Sequence, residues 1–269
     1  MTNHQIGLTF LLEEWNSLKS KIRQSLLNEG VDDPGILKCV FMAGGPGSGK
    51  SFVSNEIFGV SELRKDFFTS FSAPGLKVVN SDRAFEAGLK RAGIDPKQLA
   101  DIEKDDPELW DKITKGDSSI RGQAKALTNK QKEFYEKGRL GMIIDGTGDD
   151  YGKIKKQKQT AEALGYDCYM VFVNTTLEVA LERNKNRKRT LPDNIVTESW
   201  KECQENLGKF QSLFGSSNFR VVDNSVYKPV APAVDRAARE FIRRPIYNHI
   251  GKKWIQTARL LKKQGLIKK

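Results

Sequence analysis

Long apolar runs, histidines and cysteines are scarce in this sequence of 269 residues. No uninterrupted apolar stretch approaches 18 residues, so we expect no membrane-spanning helix. The two histidines and three cysteines do not have the spacing of zinc ligands. The first residues lack a basic region followed by an apolar stretch, so we expect no secretory signal. These absences argue against a zinc site or a disulfide framework and favour a reducing cytoplasm.

Acidic residues are also missing from the last part of the chain. The 45 Lys and Arg residues outnumber the 34 Asp and Glu residues, which gives a net charge of +11. From Phe241 to Lys269 there are nine basic residues and no acidic one. Such a stretch is typical of a surface that binds a polyanion, and equally of a solvated helix face. Trp254, Ile255 and Leu261 would alternatively let this stretch pack on the core as an amphipathic helix.

What the sequence does contain is a glycine-rich segment directly after an apolar run. Residues 36–43 are mostly apolar and predict a buried strand, and residues 44–51 read GGPGSGKS. This matches G-x-x-x-x-G-K-[ST], in which glycines let backbone N–H groups converge on a polyphosphate. Lys50 would contact the β- and γ-phosphates, and the Ser51 hydroxyl would bind Mg²⁺. The predicted nucleotide-binding residues are Gly45, Pro46, Gly47, Ser48, Gly49, Lys50, Ser51 and Phe52.

Strand-like and helix-like segments alternate along the rest of the chain. Apolar segments predict four further strands, at about 76–80, 141–145, 166–173 and 219–223. Helical segments lie between them. The alternation therefore predicts an α/β fold with a parallel five-stranded sheet and helices on both faces, plus N- and C-terminal helices.

The same pattern predicts how the chain is organised. We expect an N-terminal helical arm over residues 1–35, a nucleotide-binding core over 36–226 and a basic C-terminal helical extension over 227–269. Within the core, polar helical segments over about 83–140 predict an insertion on the substrate side. Residues 183–192 predict a lid that carries arginines.

Acidic residues follow two of the predicted strands. Asp82 comes two residues after the second strand, where a carboxylate can accept the proton of an attacking hydroxyl or cap the next helix. Asp145 ends the third strand, where a carboxylate can steady Mg²⁺ or form a turn. Because ligands bind beyond the carboxyl ends of parallel strands, both aspartates are candidate site residues.

Two arginines follow the fourth strand. Arg183 and Arg187 are four residues apart, so we expect both on one face of a helix. Two guanidinium groups at a helix end are suited to clamping a phosphoryl group during its transfer. Like charges at this spacing repel each other, which argues against a merely solvated basic run.

Together these residues carry a resemblance over roughly residues 36–225. The glycine-rich loop, Asp82, Asp145-Gly146-Thr147 and Arg183-Asn184-x-x-Arg187 with Leu191-Pro192 resemble the P-loop kinase group of zeta toxins and bacteriophage polynucleotide 5′-kinases. The resemblance implies the P-loop NTPase fold, with ATP and Mg²⁺ as cofactors.

The resemblance also implies roles for single residues. Asp82 would act as the base toward the acceptor hydroxyl, while Lys50, Arg183 and Arg187 would contact the phosphates as further catalytic residues. Arg83 would correspond to an acceptor-binding arginine. Arg121 lies in the substrate-side insertion, where it could contact an acceptor phosphate, but an ordinary surface arginine is the favoured interpretation.

Other classes of function stay open at this point. A GTPase would carry N-K-x-D after a buried strand, where this chain has Asn174-Thr175-Thr176. A nucleic-acid motor ATPase would usually place a glutamate after Asp145, where Gly146 stands, so transfer to a hydroxyl is favoured over hydrolysis. A binding module that uses the loop as an anion site is the third class. As the acceptor, a polynucleotide end or a hydroxylated base in DNA fits the basic C-terminal region, whereas a nucleotide-sugar or a metabolite would not need that charge.

Overall fold

The structure, a computed structural model, describes part of the chain. The described residues are 30–33, 35–59, 70–71 (backbone only), 75–187 and 189–266. Nearly all of the predicted N-terminal helical arm lies outside them. Among the described residues, no helix combines the length and the apolar character needed to cross a bilayer.

The centre of the described chain is a sheet of six strands in the order β2-β3-β4-β1-β5-β6. The strands are β1 (Lys38–Ala43), β2 (Ser70–Phe71), β3 (Lys77–Val79), β4 (Met142–Asp145), β5 (Asp167–Asn174) and β6 (Phe219–Asp223). Five of them are parallel, which confirms the predicted sheet. The sequence did not predict β2, which adds a short antiparallel pairing at the outer side of β3.

Side chains on the two faces of the sheet form separate apolar clusters, because successive residues of a strand point to opposite faces. In β1, Cys39 and Phe41 pack into one cluster, whereas Val40 and Met42 pack into the other. All six residues of β1 are buried. A strand covered on both faces needs apolar residues at consecutive positions, which explains the continuous apolar run in the sequence.

Helices cover both faces of the sheet. The described helices are α1 (Lys50–Phe58), α2 (Asp82–Arg91), α3 (Leu99–Asp105), α4 (Pro107–Thr114), α5 (Ile120–Lys137), α6 (Tyr151–Ala163), α7 (Leu177–Lys185), α8 (Asp193–Phe214), α9 (Pro232–Arg243) and α10 (His249–Lys263). Helices α2 to α6 and α8 contribute to one cluster, and α1 and α9 contribute to the other.

The sheet order brings the ends of distant segments together. The strand order reverses at β1, which lies between β4 and β5. Ligands of open α/β sheets bind at such a point, beyond the carboxyl ends of the strands. We call this end of the sheet the carboxyl edge and the other end the amino edge.

A buried ion pair lies at the amino edge. Asp167, the first residue of β5, accepts a hydrogen bond of 3.1 Å from Lys38 Nζ, and both side chains are buried. Burial lowers the pKa of Lys38, and the attraction of Asp167 opposes this shift. The backbone N–H groups of Tyr247 and Asn248 also donate to Asp167, at 3.1 and 3.0 Å. The ion pair therefore attaches the segment between α9 and α10 to the sheet.

Helix α10 packs on the core, as the amphipathic alternative predicted. Trp254 and Ile255 pack against the larger apolar cluster. Gly251 approaches the turn before β5 so closely that a Cβ atom there would lie 2.2 Å from the carbonyl oxygen of Gly165. Part of the basic charge is also neutralised, because Arg259 and Lys262 form ion pairs with the Asp32 carboxylate at 2.9 and 3.0 Å.

We expect the loss of one partner of the buried ion pair to destabilise the protein strongly. Asp167→Ala would leave the Lys38 charge buried without its partner, so the free energy of unfolding should fall by about 3–5 kcal/mol. Urea denaturation measures this change. The double variant Lys38→Met/Asp167→Leu has no unpaired buried charge and should recover part of the loss. A single variant as stable as the parent protein would contradict this account.

Candidate active site

The phosphate loop, residues 44–51, joins β1 to α1 at the carboxyl edge. Gly47 and Gly49 have φ angles of 78° and 85°. A Cβ atom on Gly47 would lie 2.3 Å from the carbonyl oxygen of Ala180, and one on Gly49 would lie 2.2 Å from Nδ2 of Asn224. Both positions therefore require glycine, for backbone conformation and for space.

Polar groups of the loop are held in place or left without a partner. Lys50 Nζ donates to the carbonyl oxygens of Gly44 and Gly45 at 2.6 and 3.2 Å. Ser51 is exposed in the first turn of α1. Ser48 Oγ is buried and has no hydrogen-bond partner among the described residues. A buried hydroxyl of this kind is one that a bound phosphate oxygen could satisfy.

Phe52, the last predicted nucleotide-binding residue, contacts an aromatic ring in the segment after β6. Its ring packs on the exposed ring of Tyr227, with a centroid distance of 4.5 Å. The contact joins α1 to the segment that follows β6. Phe52 therefore has an aromatic neighbour beside the loop, and a direct role in nucleotide binding stays a prediction.

Asn224, which follows β6 directly, binds the backbone of the phosphate loop. The buried side chain donates from Nδ2 to the carbonyl oxygen of Ser48 at 2.8 Å. The backbone N–H of Asn224 donates to Asn174 O at 2.9 Å, so the ends of β5 and β6 are joined as well. Sequence reasoning missed Asn224. Its one signal in the sequence is its place immediately after a predicted strand.

Helix α8 crosses the carboxyl edge and fixes the loops that follow β4 and β5. Trp200 Nε1 donates to the loop after β5 at 2.8 Å. Cys203 Sγ donates to the carbonyl oxygen of Thr147 at 3.0 Å, and Asn206 Nδ2 donates to that of Asp149 at 2.6 Å. Burial raises the pKa of Cys203 to about 12, so this thiol is a structural donor and not a nucleophile at neutral pH.

Asp145 lies at the end of β4 with one satisfied and one unsatisfied oxygen. Its Oδ2 accepts a hydrogen bond of 2.7 Å from Asn80 Nδ2. Its Oδ1 is buried and has no hydrogen-bond partner among the described residues. Burial raises the pKa of Asp145, and the charge of Lys50 and the hydrogen bond from Asn80 oppose this shift. A buried carboxylate oxygen without a donor fits a cation ligand.

The donor set near Asp145 suits Mg²⁺ better than a metal held by protein alone. Within the described ranges there is no group of three or more His, Cys, Asp or Glu residues that could hold a metal ion. Mg²⁺ at phosphate sites needs only one or two protein ligands, because phosphate oxygens and water complete its shell. Asp145 and the hydroxyl of Ser51 are the residues that fit this role.

Asp82, the first residue of α2, is held by two arginines. Arg189 NH1 and NH2 lie 3.1 Å from Oδ1 and 3.1 Å from Oδ2, and Arg121 NH1 lies 3.1 Å from Oδ1. Burial alone would raise the pKa of Asp82. The charges and hydrogen bonds of Arg189 and Arg121 outweigh this and lower it from 3.8 to about 2. Asp82 is therefore a carboxylate at neutral pH, and Arg121 is not the ordinary surface arginine that the sequence favoured.

The lid differs from its predicted geometry. Helix α7 ends at Lys185, so the prediction that Arg187 shares a helix face with Arg183 is wrong. The reason is the side chain of Asn184, which donates to Leu191 O at 2.6 Å and accepts from Leu191 N–H at 3.0 Å. These two bonds close the chain into a loop directly after the helix. The loop carries Arg189, which the predicted site did not include, onto Asp82.

The other predicted arginines lie around the same edge. Arg183 NH1 is buried without a hydrogen-bond partner among the described residues and lies 3.7 Å from the Cβ position of Gly49. Burial and repulsion from Arg189 lower the pKa of Arg187, and the attraction of Asp82, Glu86 and Asp145 opposes this shift. Arg83 is half-buried in α2, and its contact with an acceptor stays a prediction.

Comparison with known proteins agrees with this architecture. A family model described as an AAA domain matches residues 39–210. No curated protein matches the chain. A solved structure from the PezAT chromosomal toxin–antitoxin system of the human pathogen Streptococcus pneumoniae is 13% identical, with a TM-score of 0.50, over 94% of this chain and 96% of that one. This likeness shows the fold, which is the P-loop NTPase fold that the sequence predicted.

Two more distant structures are also similar. A complex of AvrRxo1-ORF1 and AvrRxo1-ORF2 with ATP is 13% identical over 78% of this chain and 64% of that one, with a TM-score of 0.44. A gluconokinase from Sinorhizobium meliloti 1021 is 15% identical over 85% of this chain and 98% of that one, with a TM-score of 0.35. Both TM-scores are below 0.5, so neither likeness carries an argument about function.

The low pKa of Asp82 predicts how stability depends on pH. Because its pKa falls from 3.8 to about 2 on folding, its ion pairs stabilise the protein above pH 3.8 and lose this effect as the pH falls toward 2. We expect the melting temperatures of the parent protein and Asp82→Asn to differ by a constant amount above about pH 5 and to converge below about pH 4. Asp235→Asn is the control, since its partner Arg239 is exposed. A difference that does not change with pH would contradict the assignment.

Proposed function

The chain belongs to the AAA-domain family, and from this premise we propose that it is an ATP-dependent phosphotransferase that moves the γ-phosphate of ATP to a hydroxyl acceptor. One observation supports this proposal most strongly. Asp82, an ionised carboxylate, lies at the same edge as the phosphate loop, and the arginine lid is folded onto it. A carboxylate in this place can orient a hydroxyl toward the γ-phosphate.

Three cations would contact the phosphates of ATP. Lys50 lies at the loop, Arg183 lies beside Gly49, and Arg187 follows Arg183 in the lid. Phosphoryl transfer passes through a loose transition state whose charge is spread over the equatorial oxygens. Cations aimed at those oxygens are therefore the main catalytic contribution that the protein can make.

Asp145 and Ser51 would hold Mg²⁺. The support for this is the buried Oδ1 of Asp145, which has no donor among the described residues. When bound, Mg²⁺ would neutralise charge on the β- and γ-phosphates. The Asn80 side chain keeps the Asp145 carboxylate in a fixed orientation through Oδ2.

The proposed reaction is a direct transfer of the γ-phosphoryl group from ATP to the acceptor oxygen. The acceptor oxygen forms a bond to the γ-phosphorus while the bond to the β–γ bridging oxygen breaks, and ADP leaves with that electron pair. Asp82 accepts the hydrogen bond of the acceptor hydroxyl and then its proton, which passes to solvent. Because the transition state is loose, the proton moves late, and a carboxylate of low pKa acts mostly by orientation.

Hydrolysis by a motor ATPase is supported less well. Gly146, and not a glutamate, follows Asp145 at the end of β4. The backbone N–H of Gly146 donates to Met42 O, which places this glycine beside β1. The position where motor ATPases usually carry the residue that activates water therefore has no side chain.

Two variants separate nucleotide binding from transfer. Lys50→Ala should abolish ATP turnover, because it removes the cation of the loop. Asp82→Asn should keep the affinity for ATP and lose transfer by about 10²–10⁴-fold. Transfer of labelled γ-phosphate to oligonucleotides, nucleotide-sugars and metabolites measures the activity, and nucleotide titration measures the affinity. Unchanged transfer in a folded Lys50→Ala protein would overturn the proposal, and lost ATP binding in Asp82→Asn would place Asp82 in the nucleotide site.

A nucleic-acid acceptor is a second candidate for the substrate. Lys252 and Lys253 are exposed on α10, near the exposed ring of Tyr247. However, Asp167 and Gly165 place this segment at the amino edge. Six residues of β1 separate that edge from the phosphate loop, which is a distance of about 20 Å. A polynucleotide would have to span this distance to use both surfaces.

Salt dependence tests the nucleic-acid candidate. If α10 contacts a nucleic-acid backbone, the double variant Lys252→Ser/Lys253→Ser should flatten the slope of log affinity against log salt by about 1.4–1.8. Both side chains are exposed, so the variant should stay folded. Lys115→Ser, which changes another exposed lysine, should leave the slope unchanged. An unchanged slope in the double variant would remove α10 from the acceptor site.

A further inference from the structure

We propose that Arg121 and Arg189 form an anion-binding site for the acceptor, which the Asp82 carboxylate fills while no acceptor is bound. The inference rests on the proposed function and names the class of acceptor. The preferred substrate is an alcohol that carries a phosphate or a carboxylate group close to the reacting hydroxyl.

Both oxygens of Asp82 are already engaged. Oδ1 accepts from Arg121 NH1 and Arg189 NH1, and Oδ2 lies 3.1 Å from Arg189 NH2. Such charge-assisted pairs are the strongest hydrogen bonds in proteins. A neutral alcohol would have to draw Asp82 away from the arginines with nothing to replace it. An anionic acceptor brings oxygens that take over the same donors.

The two arginines are held together by one aromatic ring. Both guanidinium groups lie over the ring of Phe85, Arg121 at 5.0 Å and Arg189 at 5.6 Å from its centroid. The Arg189 side chain is only 8% exposed. Stacking on an aromatic face leaves the in-plane N–H groups of a guanidinium free to bind an anion.

Arg189 has a further buried nitrogen that could donate to an anion. Its Nε is buried and has no hydrogen-bond partner among the described residues. Buried donors are rarely left unpaired in folded proteins. An acceptor anion that replaces or joins Asp82 would supply the missing oxygen.

The charges around Asp82 also favour an anion. Two guanidinium groups face the single carboxylate of Asp82, which leaves an excess of one positive charge. Lys125, one helical turn after Arg121, adds to this excess. Burial lowers the pKa of Lys125, repulsion from Arg121 and Lys153 lowers it further, and attraction by Asp149 opposes the shift. A bound anion would relieve this repulsion.

The exchange would also prepare Asp82 for its role in transfer. Once the acceptor anion holds the arginines, the carboxylate is free to accept the hydrogen bond of the hydroxyl. Its pKa then moves back toward 3.8, which makes it a better proton acceptor only while an acceptor is present. Water has no anionic group to bind the arginines, so it would not release Asp82 or raise its pKa.

Binding of inorganic phosphate tests the site without turnover. The full chain is first saturated with Mg²⁺ and a non-hydrolysable ATP analogue, so that the phosphate loop is filled, and is then titrated by calorimetry. Phosphate should bind about 10-fold more weakly to Arg121→Ala, because that variant lacks one charged donor. It should bind about 10-fold more tightly to Asp82→Asn, which removes the competing carboxylate.

Controls keep the outcome interpretable. Arg239→Ala removes an exposed arginine that is also paired with an aspartate, and it should bind phosphate like the parent protein. Arg121→Gln serves if Arg121→Ala does not fold. Acetate in place of phosphate shows whether the site prefers a carboxylate. No phosphate or acetate binding, or binding that Arg121→Ala leaves unchanged, would overturn the inference. Failure of the ATP analogue to bind would instead overturn the proposed function.

Turnover supplies a second readout. Alcohols are compared in pairs that differ only in a phosphate group near the hydroxyl. We expect kcat/KM to be at least about 10-fold higher for the phosphorylated member, and Arg121→Ala to remove this preference. Equal kcat/KM for both members of each pair would contradict the inference.

Discussion

The acceptor side of the carboxyl edge depends on one carboxylate between two guanidinium groups. Asp82 is 39 residues from Arg121 and 107 residues from Arg189 along the chain, so its ion pairs join the start of α2 to α5 and to the lid. The lid is shaped independently of them by the bonds between Asn184 and Leu191. Together these contacts put the lid over the place where an acceptor would meet the phosphate loop.

Buried polar groups lie at both edges of the sheet. At the amino edge, Asp167 joins Lys38 to the last helices in a buried network. At the carboxyl edge, Ser48 Oγ, Asp145 Oδ1 and Arg183 NH1 are buried without partners among the described residues. Phosphate oxygens and Mg²⁺ bound at the phosphate loop would satisfy these three atoms.

The sequence predicted the elements well and the long-range contacts poorly. The predicted bounds of β6, residues 219–223, agree with the structure, because its aromatic and β-branched residues favour a strand. Asp82, Asp145 and the loop were found from their positions after strands. Arg189 and Asn224 were missed because their partners are 107 and 176 residues away, and nothing in local periodicity reports such pairs. Arg187 was misplaced because side-chain bonds of Asn184, and not helical spacing, determine the path of the lid.

The central claim is that phosphate passes from ATP to an organic hydroxyl. Phosphorus NMR tests it most directly. The full chain is incubated with ATP, Mg²⁺ and a mixture of small phosphorylated alcohols. The account predicts that new phosphoester signals grow in step with ADP, one for one, while inorganic phosphate stays low. ADP matched by inorganic phosphate alone, with no new phosphoester, would contradict it.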